Sequence, residues 1–116
     1  AVRQFVRIGE GAMVVGLSGV RADVIPFGLV QGPLANLMGL NVVGMRRRGF
    51  SRTDIHLLRR AYEAMFFGAG TFRERLDQVA AQSSSNPLVA KVIAFIRAGS
   101  RPLTMAIRRG SADEGP

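Results

Sequence analysis

A repeat of six residues constrains this chain more than any other feature. Val2, Ile8, Val14 and Val20 recur at that interval, and Pro26 takes the next slot. Four residues after each stand Val6, Ala12, Ser18, Val24 and Val30, all small or β-branched. An amphipathic helix needs apolar residues three and four apart, and a half-buried strand needs every second residue. A period of six fits neither. It is the signature of a parallel β-helix, in which each hexad forms one short flat side of a coil and buries its face only against neighbouring coils. The first residue of each hexad then fills the coil, and the fifth sits where the interior is tight. Gly9, Gly16 and Gly19 suit the corners, where a positive φ is cheap for glycine alone. Five hexads over residues 2–31 make fewer than two triangular coils.

After the repeat the periodicity changes. Pro33 to Gly39 reads as a loop leaving the solenoid. Asn41 is the expected N-cap of a short helix ending near Arg48, with Gly49 just beyond it. Ser51 and Asp54 resemble a capping box with the shorter acid. The helix they start has an apolar face of Ile55, Leu58, Tyr62, Met65 and Phe66, with Arg52, His56, Arg59 and Glu63 opposite. Gly68 and Gly70 end it. Thr71 and Glu74 start another, lined by Phe72, Leu76, Val79 and Ala80. After a polar linker, residues 82–85, Asn86 and Pro87 take the N-cap and N1 places of a further helix. Its expected face is Leu88, Val92, Phe95 and Ile96, and Gly99 closes it. The expected fold class is thus β-helix plus α. Residues 1–35 end a β-helix, residues 36–110 form a domain of about three helices covering its open end or side, and residues 111–116 are a disordered tail.

Composition narrows the functions. There is no Cys and a single His among 116 residues, which excludes disulfides, thiolate metal sites and multi-histidine metal sites. Absence of Cys suits a reducing compartment. Sixteen basic residues against eight acidic ones give a formal charge of +8, which favours an acidic partner. The chain opens on Ala1 and runs straight into the repeat with no secretory leader, so it reads as cut inside a domain. Residues 24–45 carry no charge and precede Arg46, Arg47 and Arg48. They have the length for a small membrane-anchored protein, but two prolines, four glycines and three side-chain amides argue against a spanning helix. A basic nucleic-acid-binding module is the other competing class. Aromatic residues are few and no helix-turn-helix or RNA-binding signature appears. Gly9, Glu10 and Gly11 hint at a dinucleotide fingerprint, but Val14 stands where its third glycine belongs. Glu10 and Asp23 lie in different coils with no fixed relation as a catalytic pair.

The run from Gly39 to Arg52 resembles a family signature in which Gly-x-Asn, a short hydrophobic helix and two or three basic residues precede Gly-Phe-Ser-Arg. Upstream, Arg3 to Gly9 and Ala12 to Val20 look like the last coils of the same family, and Asp23 to Gly28 like its exit from the solenoid. The family is that of the bacterial UDP-N-acetylglucosamine O-acyltransferases of lipid A biosynthesis, a hexapeptide-repeat family, and the resemblance covers roughly residues 2–98. It implies a cytoplasmic homotrimer of left-handed β-helices that moves a 3-hydroxyacyl group from acyl carrier protein to the 3-hydroxyl of UDP-N-acetylglucosamine. It implies no metal or cofactor. A histidine on an earlier coil is the implied general base, so the chain is expected to be a C-terminal fragment that lacks it and is inactive and poorly soluble alone. Carried over by position, Gln4, Asn41 and Arg47 are substrate-binding candidates and Arg48 is the adjacent one. A guanidinium can grip a diphosphate with two charge-assisted hydrogen bonds. Arg7, Arg21, Arg52, Arg59 and Arg60 are candidates for attracting the acidic carrier protein. The chain departs from the family at Arg3, Gly11, Val43 and Pro33-Leu34.

Overall fold

The computed structural model describes residues 6–15, 20, 22–32, 36–83, 85–99 and 102–106. Gln4, Arg21, Gly16, Gly19 and the tail at 111–116 lie outside them. The elements run β1 (Met13–Val14), β2 (Gly28–Gln31), β3 (Asn36–Leu40), α1 (Val42–Arg47), α2 (Arg52–Phe67), α3 (Phe72–Ser83) and α4 (Pro87–Ala98).

The strands form one sheet in the order β1-β2-β3. β1 pairs with β2 in parallel, Met13 with Leu29 and Val14 with Val30. An isolated parallel bridge joins Ile8 to Val24. Parallel pairing at short range is what the six-residue period predicts, but the register differs from it. Three hexads would set partners 18 residues apart, whereas each of these pairs is 16 apart (29 − 13, 30 − 14 and 24 − 8). Val14 therefore faces Val30, not Gly32. The offset is already 16 at Ile8–Val24, ahead of a tight turn in which the Gly28 N–H donates to the Ile25 carbonyl and Phe27 holds a φ of 64°. Burial follows the repeat in its later part. Val20, Val24 and Val30 are buried, whereas Ile8, paired on one side, is exposed.

β3 replaces the loop expected at residues 33–39. It runs antiparallel to β2, pairing Gly28 with Leu40 and Gln31 with Asn36, with a bulge opposite Leu29/Val30. A bulged five-residue strand containing Gly39 has little strand propensity of its own, so the pairing with β2 forms it. The boundary expected between residues 35 and 36 falls inside this β2–β3 hairpin. The uncharged stretch 24–45 is likewise two strands and the start of a six-residue helix. Among the described residues no helix is long and apolar enough to cross a membrane.

The helices start where local chemistry dictates. The Ser51 hydroxyl accepts from the Asp54 N–H at 3.0 Å. Asp54 does not return the bond; its Oδ1 accepts from the Asn86 amide at 3.1 Å, tying the start of α2 to the start of α4. Thr71 and Glu74 form the full reciprocal box. Both Thr71 bonds hold the Glu74 carboxyl below its ordinary pKa, the backbone N–H first and the hydroxyl second. Asn86 Oδ1 accepts from Leu88 and Val89 N–H, and Pro87 at N1 has no N–H to leave unpaired. At the other end of α2, Arg75 donates to the carbonyls of Met65 and Gly70, which satisfies acceptors that a helix terminus leaves open.

α2 buries Ile55, Leu58, Ala61, Tyr62, Met65 and Phe66, the expected face. Tyr62, Phe66 and Phe72 then join α2 to α3 through ring contacts of 5.3 and 5.4 Å. α4 buries the expected Leu88 and Val92, with Val89 and Ile93 beside them, and Ile96 packs against the core from its margin. The expected Phe95 is half-buried, where the Arg7 guanidinium lies 4.0 Å from its ring centroid and donates to its carbonyl. The same guanidinium binds the buried Asp23 carboxylate at 2.8 Å. Residues 102–106 return to the sheet, bridging Leu103 to Asp23 and Ala106 to Leu37. One core results, shared by Val24, Phe27 and Leu37 from the sheet, Met45 from α1 and the inner faces of α2–α4.

Candidate functional site

α1 presents the basic run, and its two ends are held differently. At the start, the Asn41 N–H donates to the Phe27 carbonyl, its Oδ1 caps the Gly44 N–H at 3.1 Å, and its Nδ2 donates to the Gly11 carbonyl at 2.9 Å. One side chain thus caps the helix and fastens it to the turn at residues 9–12. Gly44 lies so close to the Asn41 amide that a Cβ there would overlap it. Met45 anchors the middle of α1 in the core. At the end, the Gly49 N–H donates to Arg46 and the Phe50 N–H to Met45, with Gly49 at a φ of 85°. Phe50 then packs edge-on to Phe27 at 5.4 Å. Arg46, Arg47 and Arg48 therefore emerge exposed from a fixed turn, at the helix end where the backbone dipole favours cations.

The turn that receives Asn41 is equally constrained. The Phe27 N–H donates to the Glu10 carbonyl at 2.8 Å and the Ala12 N–H to Gly9. A Cβ on Gly9 would run into the Pro26 backbone, and one on Gly11, at a φ of 68°, would meet the Phe27 ring at 2.7 Å. Gly9 is therefore needed for space and Gly11 for both space and conformation. The outcome is a Glu10 side chain held over the end of α1. Its Oε2 lies 3.3 Å from Arg48 Nη1, and its Oε1 lies 3.1 Å from Lys91 Nζ on α4. All three side chains are about half exposed. An exposed pair of this kind contributes about 0–1 kcal/mol, so the cluster does little for stability.

Of the four substrate-binding candidates from sequence, the structure brings Asn41 and Arg48 to the same turn, at Gly11 and Glu10. Asn41 already spends its amide on the cap and on Gly11. Arg47 is exposed and makes no side-chain hydrogen bond or ion pair among the described residues. Gln4 lies outside the described residues. Sequence reasoning missed Glu10 and Lys91, which sit 81 positions apart with no motif to join them. Among the carrier-protein candidates, Arg7 is engaged by Asp23 and Phe95, and Arg52, Arg59 and Arg60 are exposed on α2. His56 is exposed on α2 as well. A groove of 360 Å³ lies between β3 and α2, walled by Met38, Leu40, Val42 and Tyr62 with Arg59 at its rim; none of the four candidates lines it. Among the described residues no three His, Cys, Asp or Glu side chains converge as a metal site.

Comparison with known proteins places this geometry. The family described as UDP-N-acetylglucosamine O-acyltransferase, domain 2, matches residues 23–104. The acyl-(acyl-carrier-protein)–UDP-N-acetylglucosamine O-acyltransferase of Azorhizobium caulinodans is 52% identical over 82 residues, covering 71% of this chain and 30% of that protein. Its namesake from Rhizobium etli is 44% identical over 110 residues, covering 95% of this chain and 40% of the relative. Among solved structures, the UDP-N-acetylglucosamine acyltransferase of Arabidopsis superposes with a TM-score of 0.83 at 35% identity, over 90% of this chain and 39% of the other. That of Campylobacter jejuni gives 0.78 at 35%, over 92% and 41%. The chain thus spans well under half the length of these relatives. With a match from Asp23 through Thr104 that takes in β2, β3, all four helices and the basic turn, this chain belongs to the UDP-N-acetylglucosamine O-acyltransferase domain 2 family.

Proposed function

We propose that this chain is the C-terminal part of an acyltransferase that moves a 3-hydroxyacyl group from acyl carrier protein to the 3-hydroxyl of UDP-N-acetylglucosamine, opening lipid A biosynthesis. The observation that carries the reading is the family match across residues 23–104, which includes the Asn41–Arg48 helix. In this reading residues 1–35 end a left-handed β-helix, residues 36–110 are the C-terminal domain, helical apart from β3 and the 102–106 segment that pair back onto the sheet, and the intact protein is a cytoplasmic homotrimer. The parallel pairs Ile8–Val24 and Val14–Val30 support the solenoid.

Arg47 and Arg48 grip the nucleotide-sugar diphosphate, Asn41 sets the helix that carries them, and Gln4 contacts substrate. Arg47 supports this by standing exposed and unpaired among the described residues at the end of a rigid turn. The general base is a histidine outside these 116 residues, and the one histidine here, His56, stands exposed on the polar face of α2. The 116 residues alone are then inactive. Arg52, Arg59 and Arg60 offer the acidic carrier protein a basic face.

The test is acyl transfer from 3-hydroxyacyl carrier protein to UDP-N-acetylglucosamine by the full-length protein, with Arg47→Ala beside it. Losing a charge-assisted bond to the diphosphate should lower kcat/KM about ten- to hundred-fold. A soluble, trimeric full-length protein with no activity would overturn the substrate assignment and direct attention to Arg3, Gly11 and Val43.

A further inference from the structure

Glu10 holds a place that the chain's charge balance leaves conspicuous. Among the other described acidic side chains, Asp23 is bound by Arg7, Asp54 by Asn86, Glu74 by Thr71 and Asp77 by Arg97, and Glu63 is engaged on α2. Glu10 instead reaches into a cluster of cations, touching Arg48 from α1 and Lys91 from α4, with Arg46 and Arg47 exposed on the same short helix. Its Oε2 lies 3.3 Å from both Arg48 Nη1 and Lys91 Nζ, and its Oε1 lies 3.1 Å from Lys91 Nζ. That is the arrangement two oxygens of a phosphate group would adopt between the same donors. The Phe27 N–H holds the Glu10 carbonyl between two sterically required glycines, which fixes where the side chain starts, while its carboxylate end is about half exposed.

We propose that Arg48 and Lys91 form a two-cation site for a phosphate-class anion, and that Glu10 is the internal counter-ion such an anion displaces. A carboxylate brings one charge and a diphosphate brings more, so the ligand outcompetes Glu10 at the cost of freeing it to solvent. Glu10 then acts as a filter. Weakly charged anions fail to dislodge it and multiply charged ones succeed. Lys91 enters the site from a helix whose sequence carries no anion-binding motif. The diphosphate of the nucleotide sugar is the natural occupant, a step that rests on the function proposed above.

The experiment is calorimetric titration of the full-length protein with inorganic pyrophosphate, then with UDP-N-acetylglucosamine, for wild type, Glu10→Gln, Lys91→Ala and the double variant. Glu10→Gln keeps the size of the side chain and removes its charge. It should tighten pyrophosphate about three- to ten-fold, with the gain shrinking as salt is raised. Lys91→Ala should weaken binding, and the double variant should lose the gain. Pyrophosphate affinity unchanged or reduced in folded Glu10→Gln protein overturns the proposal, as does a gain that survives loss of Lys91. The second titrant separates the two ideas. The pyrophosphate pattern without nucleotide-sugar binding upholds the anion site while the substrate assignment fails. Nucleotide-sugar binding indifferent to Glu10 and Lys91 sinks the anion site and leaves the substrate assignment standing.

Discussion

In α2, α3 and α4 the bonds that start each element lie within three residues of one another, Ser51 to Asp54, Thr71 to Glu74 and Asn86 to Val89. In the sheet only the β2–β3 hairpin is local, pairing Gln31 with Asn36 and Gly28 with Leu40; the other bonds come from further away, as Val15 to Val30, or from far beyond, as Leu37 to Met105. The helices and the β2–β3 hairpin can therefore begin forming from their own sequence, whereas the parallel pairs and the 102–106 edge form when distant segments meet. Local nuclei are cheap and long-range closure costs chain entropy before any contact rewards it. The two halves nevertheless share one core, so the comparison concerns how each is specified and how each first yields.

The largest effect should come from the sheet. Gly9→Ala would push a methyl group into the Pro26 backbone, 2.6 Å from its Cα. Backbone cannot give way as a side-chain tip can, so we expect a loss of about 3 kcal/mol in urea denaturation. Hydrogen exchange should speed first at the amides of Gly9, Val15, Val24 and Phe27. Equal acceleration through α2–α4 would break the distinction between the halves. A smaller loss, about 1–2 kcal/mol, is expected for Asn86→Ala, which removes a cap on two N–H groups and the bond to Asp54. Its exchange signature should sit at the starts of α4 and α2 and leave the sheet protected. The smallest effect is pH-dependent. Glu74 has a folded pKa below its ordinary value, so its contribution is complete above the usual glutamate range of about 4.3 and fades as pH falls through the lowered folded value. Protection of the Thr71 amide should follow that course in the native chain and show no such step in Glu74→Gln.

This contrast also explains what could be read from sequence. Caps at Asn41, Ser51, Thr71 and Asn86 were legible because the donor and its acceptor lie within a turn. The inner face of α2 was legible from its period. On α4 the period found Leu88, Val92 and Ile96 but not the half-buried place of Phe95, which contacts Arg7, 88 residues away. β3 was invisible because its residues favour no strand without β2 beside them. The six-residue period announced parallel pairing but not its 16-residue register, which is already set at Ile8 and Val24, before the turn at Pro26 and Phe27. In the candidate site, the arginines were visible as a run and a motif. Glu10 was visible as a residue between two glycines, and its partnership with Arg48 and Lys91 exists only in three dimensions.

Residues 102–106 run beside Asp23 and Leu37, on the far side of four helices in sequence. During synthesis those helices leave the ribosome first and can dock on the sheet, but the groups at Asp23 and Leu37 wait for partners still inside the exit tunnel. Closure of this edge therefore comes after all four helices have been made. A stalled or prematurely released product would carry complete helices and an open strand, the kind of surface that chaperones hold and that neighbouring nascent chains can pair with.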